Sequence, residues 1–231
     1  MKRFVVMGLL LAGCSGGAGA SDQPTSVATP TQSVESSASP PPAVPSPSDA
    51  SDDGGLCAEG FETCTLEPGT YSAAPFEPGF MFTIEEEWTN DRAYADGGGI
   101  SLQTGGVYWA SGVTDGTVAD EPVEIGAGID GFVLFLQSLT TMGMTVSEPV
   151  PVTIDGVEGQ QIDLETNDAE ARGLYFIEDD AFNLIPQEKA RFLVLEKEGE
   201  TVLLIVDAFV ASDFDEWVET AQPVVDSIVW E

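Results

Sequence analysis

Three regimes of polarity divide the chain. Residues 4–11 form one uninterrupted apolar run. Residues 15–55 hold Val27, Val34 and Val44 as their only branched apolar side chains, and no aromatic. From Leu56 onward apolar residues return in short clusters punctuated by Gly, Pro and acidic residues, which is the pattern of a strand-rich domain. Gly69-Thr70-Tyr71 leads a strand that Pro75 and Pro78 break. Residues 80–84 read as a second strand, closed by Glu85-Glu86-Glu87 ahead of Trp88. Asp96-Gly97-Gly98-Gly99 reads as a flexible turn, with short strands at 100–102 and 107–110 around Gly105-Gly106. A hairpin is expected from 150–154 and 160–164 about Asp155-Gly156, and another from 191–196 and 201–209 about residues 197–200. Residues 174–177 and 182–185 read as further strands. Residues 202–206 are apolar without alternation, so both faces of that strand are covered and it belongs in the middle of its sheet.

Two stretches carry the helical period instead. Ile129, Phe132, Val133, Leu136 and Leu139 share one face of a helix over 129–142, with Asp130 at its start and Gly143 as its stop. Phe214, Trp217, Val218 and Ala221 share a face of a last helix that Ser212 or Asp213 caps. Pro223 lacks the amide hydrogen of a helix interior and should end or kink it, while Val224, Val225 and Ile228 continue the apolar stripe. The expected class is α+β, an antiparallel sheet covered by two helices.

The first apolar run is too short to span a bilayer, which takes about 20 residues. Lys2 and Arg3 precede it, and Leu11-Ala12-Gly13-Cys14 follows. That order resembles the lipobox signal of bacterial lipoproteins. The resemblance implies cleavage between Gly13 and Cys14 and diacylglycerol on the Cys14 thiol, with further acylation, such as palmitate, on the freed amine. Two or more chains anchor a protein firmly where one holds it reversibly. The signal is short for its class, which also fits a start codon further upstream. The protein is therefore expected on the extracytoplasmic face of a bacterial membrane, held by lipid.

Residues 14–55 then form a tether. Between Ser21 and Ser51, 19 of 31 residues are Ser, Thr or Pro, too little apolar surface to offset the entropy of ordering. As a flexible coil this length spans on the order of 35 Å, and in polyproline geometry ~130 Å. Its composition also fits O-glycosylation. Residues 56–231 are enough for a single globular domain with its own core.

Charge narrows the partners. The chain has 40 acidic and 7 basic residues. Without Lys2 and Arg3 the bases are Arg92, Arg172, Lys189, Arg191 and Lys197, so no basic patch exists to neutralise phosphates. Nucleic acid is excluded as a partner, which leaves an envelope protein or a small ligand. The acids are spread along the domain, as on a solvated surface. Once Cys14 is lipidated, Cys57 and Cys64 remain as an even pair, and an exported protein is expected to join them. A loop that short contributes about 2.5 kcal/mol in the chain-entropy model. A metal site and a redox pair are the alternatives, both poorly supplied with further ligands or CxxC spacing.

Several stretches of the domain resemble a recurrent, uncharacterised bacterial lipoprotein domain. They are Gly69-Thr70-Tyr71, Phe76-Glu77-Pro78, residues 80–84 with Trp88, residues 153–159, residues 182–208, and the ending from Asp213 through Trp217 to Ser227-Ile228-Val229-Trp230. The last hairpin followed by helix and Ser-Ile is also similar to PsbP-like domains, named for an extrinsic subunit of photosystem II. That resemblance implies an α/β/α sandwich on an antiparallel sheet and carries no catalytic site.

The chemistry is mostly exclusion. The chain has no histidine, which removes Ser-His-Asp and Cys-His triads and every His-based metal site. No GxSxG, Walker or GxGxxG motif stands between a strand and a helix. Calcium is the best cofactor candidate, through Asp163, Glu165, Asn167, Asp168 and Glu170, although these do not match an EF-hand loop. Trp88, Trp109, Trp217 and Trp230 could line a ligand groove, with Trp217 better placed for the core. The expected function is a lipid-anchored binding or accessory domain, not an enzyme. The alternatives are a cation-binding or ligand-sensing surface lipoprotein and, third, a hydrolase working through carboxylates alone.

Overall fold

A computed structural model describes residue 56 and residues 63–94, 96–118, 121–167, 172–177 and 180–231. The chain falls into two units, Met1–Ser46 and Pro47–Glu231, and every described residue belongs to the second. The signal, Gly13, Cys14 and the tether lie outside the described residues.

The strands are β1 (Cys64–Leu66), β2 (Gly69–Ser72), β3 (Phe80–Ile84), β4 (Trp88–Ala93), β5 (Gly97–Leu102), β6 (Gly105–Ser111), β7 (Asp115–Val118) and β8 (Glu121–Glu124). Helix α1 (Gly128–Ser138) follows. The strands resume with β9 (Thr145–Val146), β10 (Val150–Ile154), β11 (Val157–Glu165), β12 (Arg172–Ile177), β13 (Asp180–Leu184), β14 (Lys189–Lys197) and β15 (Glu200–Ala208). Helix α2 (Phe214–Asp226) and β16 (Val229–Trp230) close the chain. Nine strands build one antiparallel sheet in the order β1-β4-β5-β6-β15-β14-β11-β10, with β9 beside β11. Two smaller antiparallel sheets are β13-β12-β7-β8 and β16-β3-β2.

β15 stands in the middle of the large sheet, as its unbroken apolar run requires, and every residue from Val202 to Ala208 is buried. Side chains alternate across a strand. On one face Leu193, Leu195, Val202, Leu204 and Val206 pack with Phe214, Trp217, Val224 and Val225 of α2 and with Phe80, Phe82 and Ile84 of β3. On the other, Phe192, Val194, Leu203 and Ile205 pack with Phe132, Phe135 and Leu136 of α1 and with Leu174 and Leu184. The class is thus α+β on a large antiparallel sheet. The two helices are only part of the cover, because a small sheet accompanies the helix on each face. Each face is too wide for one helix, about 10 Å across with its side chains.

Local differences have physical causes. Asp96-Gly97-Gly98-Gly99 is not a free turn: Gly97, Gly98 and Gly99 lie buried inside β5. A Cβ on Gly98 would fall 2.7 Å from the Trp109 ring, and one on Gly99 would fall 2.1 Å from Tyr108. The glycines are there so that aromatic rings of β6 can lie on the backbone of β5. The charged edge before Trp88 hid β4, and the polar sequence of β7 and β8 hid a hairpin. The hairpin turns hold as expected: Asp155 and Gly156 have φ of 44° and 79°, and Glu198 and Gly199 have 58° and 89°, the backbone of tight two-residue turns. Helix α1 gives way after Ser138 to a 3-10 turn, Leu139–Met142, ahead of Gly143. Pro223 neither ends nor visibly interrupts α2, which runs to Asp226. The Ser227 N–H donates to the carbonyls of Pro223 at 3.1 Å and Val224 at 3.2 Å, and burial of Val224 and Val225 holds the last turn down. Asp213 takes the N-cap position of α2, but its side chain makes no capping hydrogen bond.

Candidate functional site

The expected ligand set does not assemble among the described residues. Asp163 and Glu165 share a face of β11, but both Asp163 oxygens are taken by Arg191, at 2.8 Å to Nε and 2.9 Å to Nη2. That pair holds the Arg191 guanidinium protonated more firmly than usual, first through the hydrogen bond to Asp163 and against the cost of burial. Asn167 donates to the Gly143 carbonyl and the Thr145 hydroxyl, each at 3.2 Å. Asp168 and Glu170 lie outside the described residues. No group of three or more His, Cys, Asp or Glu is placed to hold a metal among the described residues. The tryptophan groove is corrected too. Trp88, Trp109 and Trp217 are buried in the core beneath α2, and half-buried Trp230 donates from Nε1 to the Ile154 carbonyl at 3.0 Å. Cys64 opens β1, half-buried against the same core, whereas Cys57 lies outside the described residues.

The chemistry that the fold does bring together is elsewhere. Asp207 is an acid inside the most apolar strand, and alternation points it to the α1 face with Leu203 and Ile205. Its cross-strand neighbours are Ala190 on β14 and Gly106 on β6, which offer no side-chain donor, and the Tyr108 ring lies over Gly106. Glu188, at the end of the turn into β14, is hydrogen-bonded to Asp207. Both are closed to solvent, with exposures of 3% and 2%.

A hydrogen bond between two carboxyls needs a proton on one of them. Burial holds the Asp207 carboxyl well above the usual carboxylate range, reinforced by the hydrogen bond to Glu188 and by its charge. Burial also raises Glu188, opposed by its hydrogen bonds with Asp207 and with the Ile185 amide. The pair therefore holds one proton between two carboxyls, both of which burial pushes above the usual range. No N–H or hydroxyl of the described residues donates to Asp207 Oδ1. Glu188 is held by a turn. The Ile185 N–H donates to Glu188 Oε2, and the Glu188 N–H donates back to the Ile185 carbonyl at 3.4 Å. Pro186 presets the first central position of this turn, and Gln187 takes the second at φ 65°, where glycine is usual. The left-handed backbone of Gln187 costs about 1–2 kcal/mol.

Two carboxyls sharing a proton are the equipment of acid–base hydrolysis. Hydrolysis also requires a substrate and a water at the carboxyls, and burial shuts both out here. Sequence reasoning missed this pair. The signal was present, an aspartate in the run Leu204-Ile205-Val206-Asp207-Ala208, but it was one acid among 40. Its partner, on a turn, carries no pattern at all.

No family model and no curated protein matches the chain. Among solved structures, the solution structure of cyanobacterial PsbP (CyanoP) from Synechocystis sp. PCC 6803 is similar at a TM-score of 0.36 and 8% sequence identity. The match covers 74% of this chain and 94% of that one. A likeness at that identity and score establishes neither a shared family nor a shared activity.

Proposed function

We propose that the chain is a bacterial surface lipoprotein whose folded unit binds or assists another envelope component without catalysis. The signal is removed between Gly13 and Cys14, lipid on Cys14 anchors the protein on the extracytoplasmic face, and residues 15–55 tether the domain. Cys57 and Cys64 are joined where the tether enters that domain. The basic, apolar and small-residue order ending in Cys14 supports the anchor. The PsbP-like α/β/α layering of the domain rests on the residue resemblance alone.

One observation carries the non-catalytic part. The carboxyl pair that comes nearest to an acid–base site is buried to 3% and 2% exposure, so its chemistry is spent inside the fold. The partner is a protein or small ligand of the envelope, since an acid-rich surface repels nucleic acid. The test of the anchor is metabolic. Cells given labelled palmitate should label the native chain and not Cys14→Ser. Equal labelling of the two would contradict the anchor.

A further inference from the structure

The buried pair sits where several elements are tied together. The Glu188 carbonyl accepts from the Thr166 N–H at 3.0 Å, just past the end of β11. The Gln187 carbonyl accepts from the Ala211 N–H at 2.6 Å, at the 3-10 turn Ala211–Asp213 that leads into α2. The Glu188 side chain caps the same turn through the Ile185 amide. Residues 185–188 thus join β11, β14 and the approach to α2, and the geometry of that joint depends on where the Glu188 carboxyl lies.

We propose that Asp207 and Glu188 form a pH-responsive latch: while they share a proton the turn 185–188 stays closed on the large sheet, and when both ionise the turn and the Ala211 contact loosen together. The physical reason is the lack of compensation. Ala190 and Gly106 flank Asp207, and no N–H or hydroxyl of the described residues donates to Asp207 Oδ1. Among the described side chains a second negative charge there would meet only the first; Arg172 of β12, in register with Leu184, has its side chain outside the described residues. The cations of the neighbouring strand are turned away. Lys189 and Arg191 lie on the opposite face of β14, 4.3 Å and 5.4 Å from the Phe214 ring centre, and Arg191 is paired with Asp163. Glu165 pairs across with Lys189 on that side, and Asp215 of α2 acts on Arg191. On the Asp207 side, β6 supplies Tyr108, whose hydroxyl donates to Asp91 of β4 at 3.4 Å, and β13 supplies the apolar ring of Phe182. Among the side chains described, none of these offers a positive charge to the pair. The left-handed backbone at Gln187 gives the released turn a direction in which to relax.

The test is a titration of the full chain, isotopically labelled and held in detergent, followed by magnetic resonance from about pH 4 to about pH 9. The amide signals of Ile185, Thr166 and Ala211 should move along one curve. Its midpoint should lie above the ordinary carboxylate range and coincide with that of the Asp207 carboxyl carbon. In Asp207→Asn the step that coincides with the Asp207 carbon should be missing from these amides. Amides that ignore the Asp207 transition, or that titrate unchanged in Asp207→Asn, would overturn the latch. So would an Asp207 carbon that never titrates while the chain is folded. If the variant does not fold, the comparison of carbon and amides in the native chain decides alone.

Discussion

Asp207 and Glu188 link a local hydrogen bond to the stability of the whole domain. Both carboxyls are held above their ordinary range, mainly by burial. Above about pH 4 the folded chain therefore binds more protons than the unfolded one. The stability that the shared proton confers is fully present below the ordinary range and is lost as pH rises through the folded values. Asp207→Asn keeps a donor for Glu188 and removes one of the two titrating carboxyls. Its unfolding free energy, measured by urea at a series of pH values, should fall less steeply with rising pH than that of the native chain. Parallel slopes would mean that the pair is not the source. Asp163 illustrates the opposite environment. Its carboxylate is met by a guanidinium in a two-point contact at the edge of the core, so the charge that looked available for calcium is already engaged.

At the scale of elements, periodicity was legible wherever burial alone decided the structure. The face 214, 217, 221, 224, 225 and 228 is buried as the helical repeat demands, and the Asp155-Gly156 and Glu198-Gly199 hairpins follow from turn chemistry. What was not legible depended on contacts between distant residues. Nothing near Gly98 or Gly99 announces that rings from the next strand lie on them. Gly99→Ala should cost about 1–3 kcal/mol in urea unfolding, because the new Cβ must displace Tyr108. An unchanged midpoint would contradict the ring-on-backbone packing. Pro223 shows tertiary packing overruling propensity: the apolar stripe holds α2 through a residue that withholds a helical hydrogen bond. The Pro223 side is exposed, so Pro223→Ala should restore that bond without a clash and stabilise by about 1 kcal/mol, a few degrees in melting temperature. A lower melting temperature would show that the proline serves the fold.

For the molecule as a whole, composition and order carry information that packing does not. An acid-rich domain with a covered sheet describes how the chain stays folded, and the sequence ahead of Cys14 is what supports the proposed anchor. The pairing of the two carboxyls was not legible in the sequence, although Asp207 stood out in its apolar run, because its partner comes from a turn that only the fold brings beside it. The proposed anchor was visible because a signal is read as an extended chain, in order, before any folding. The most direct test of the account is the intact mass of the protein isolated from its native membrane. The account predicts a chain that begins at Cys14 and carries diacylglycerol and acyl mass on that residue. A chain that retains Met1, or that bears an unmodified Cys14, would contradict it.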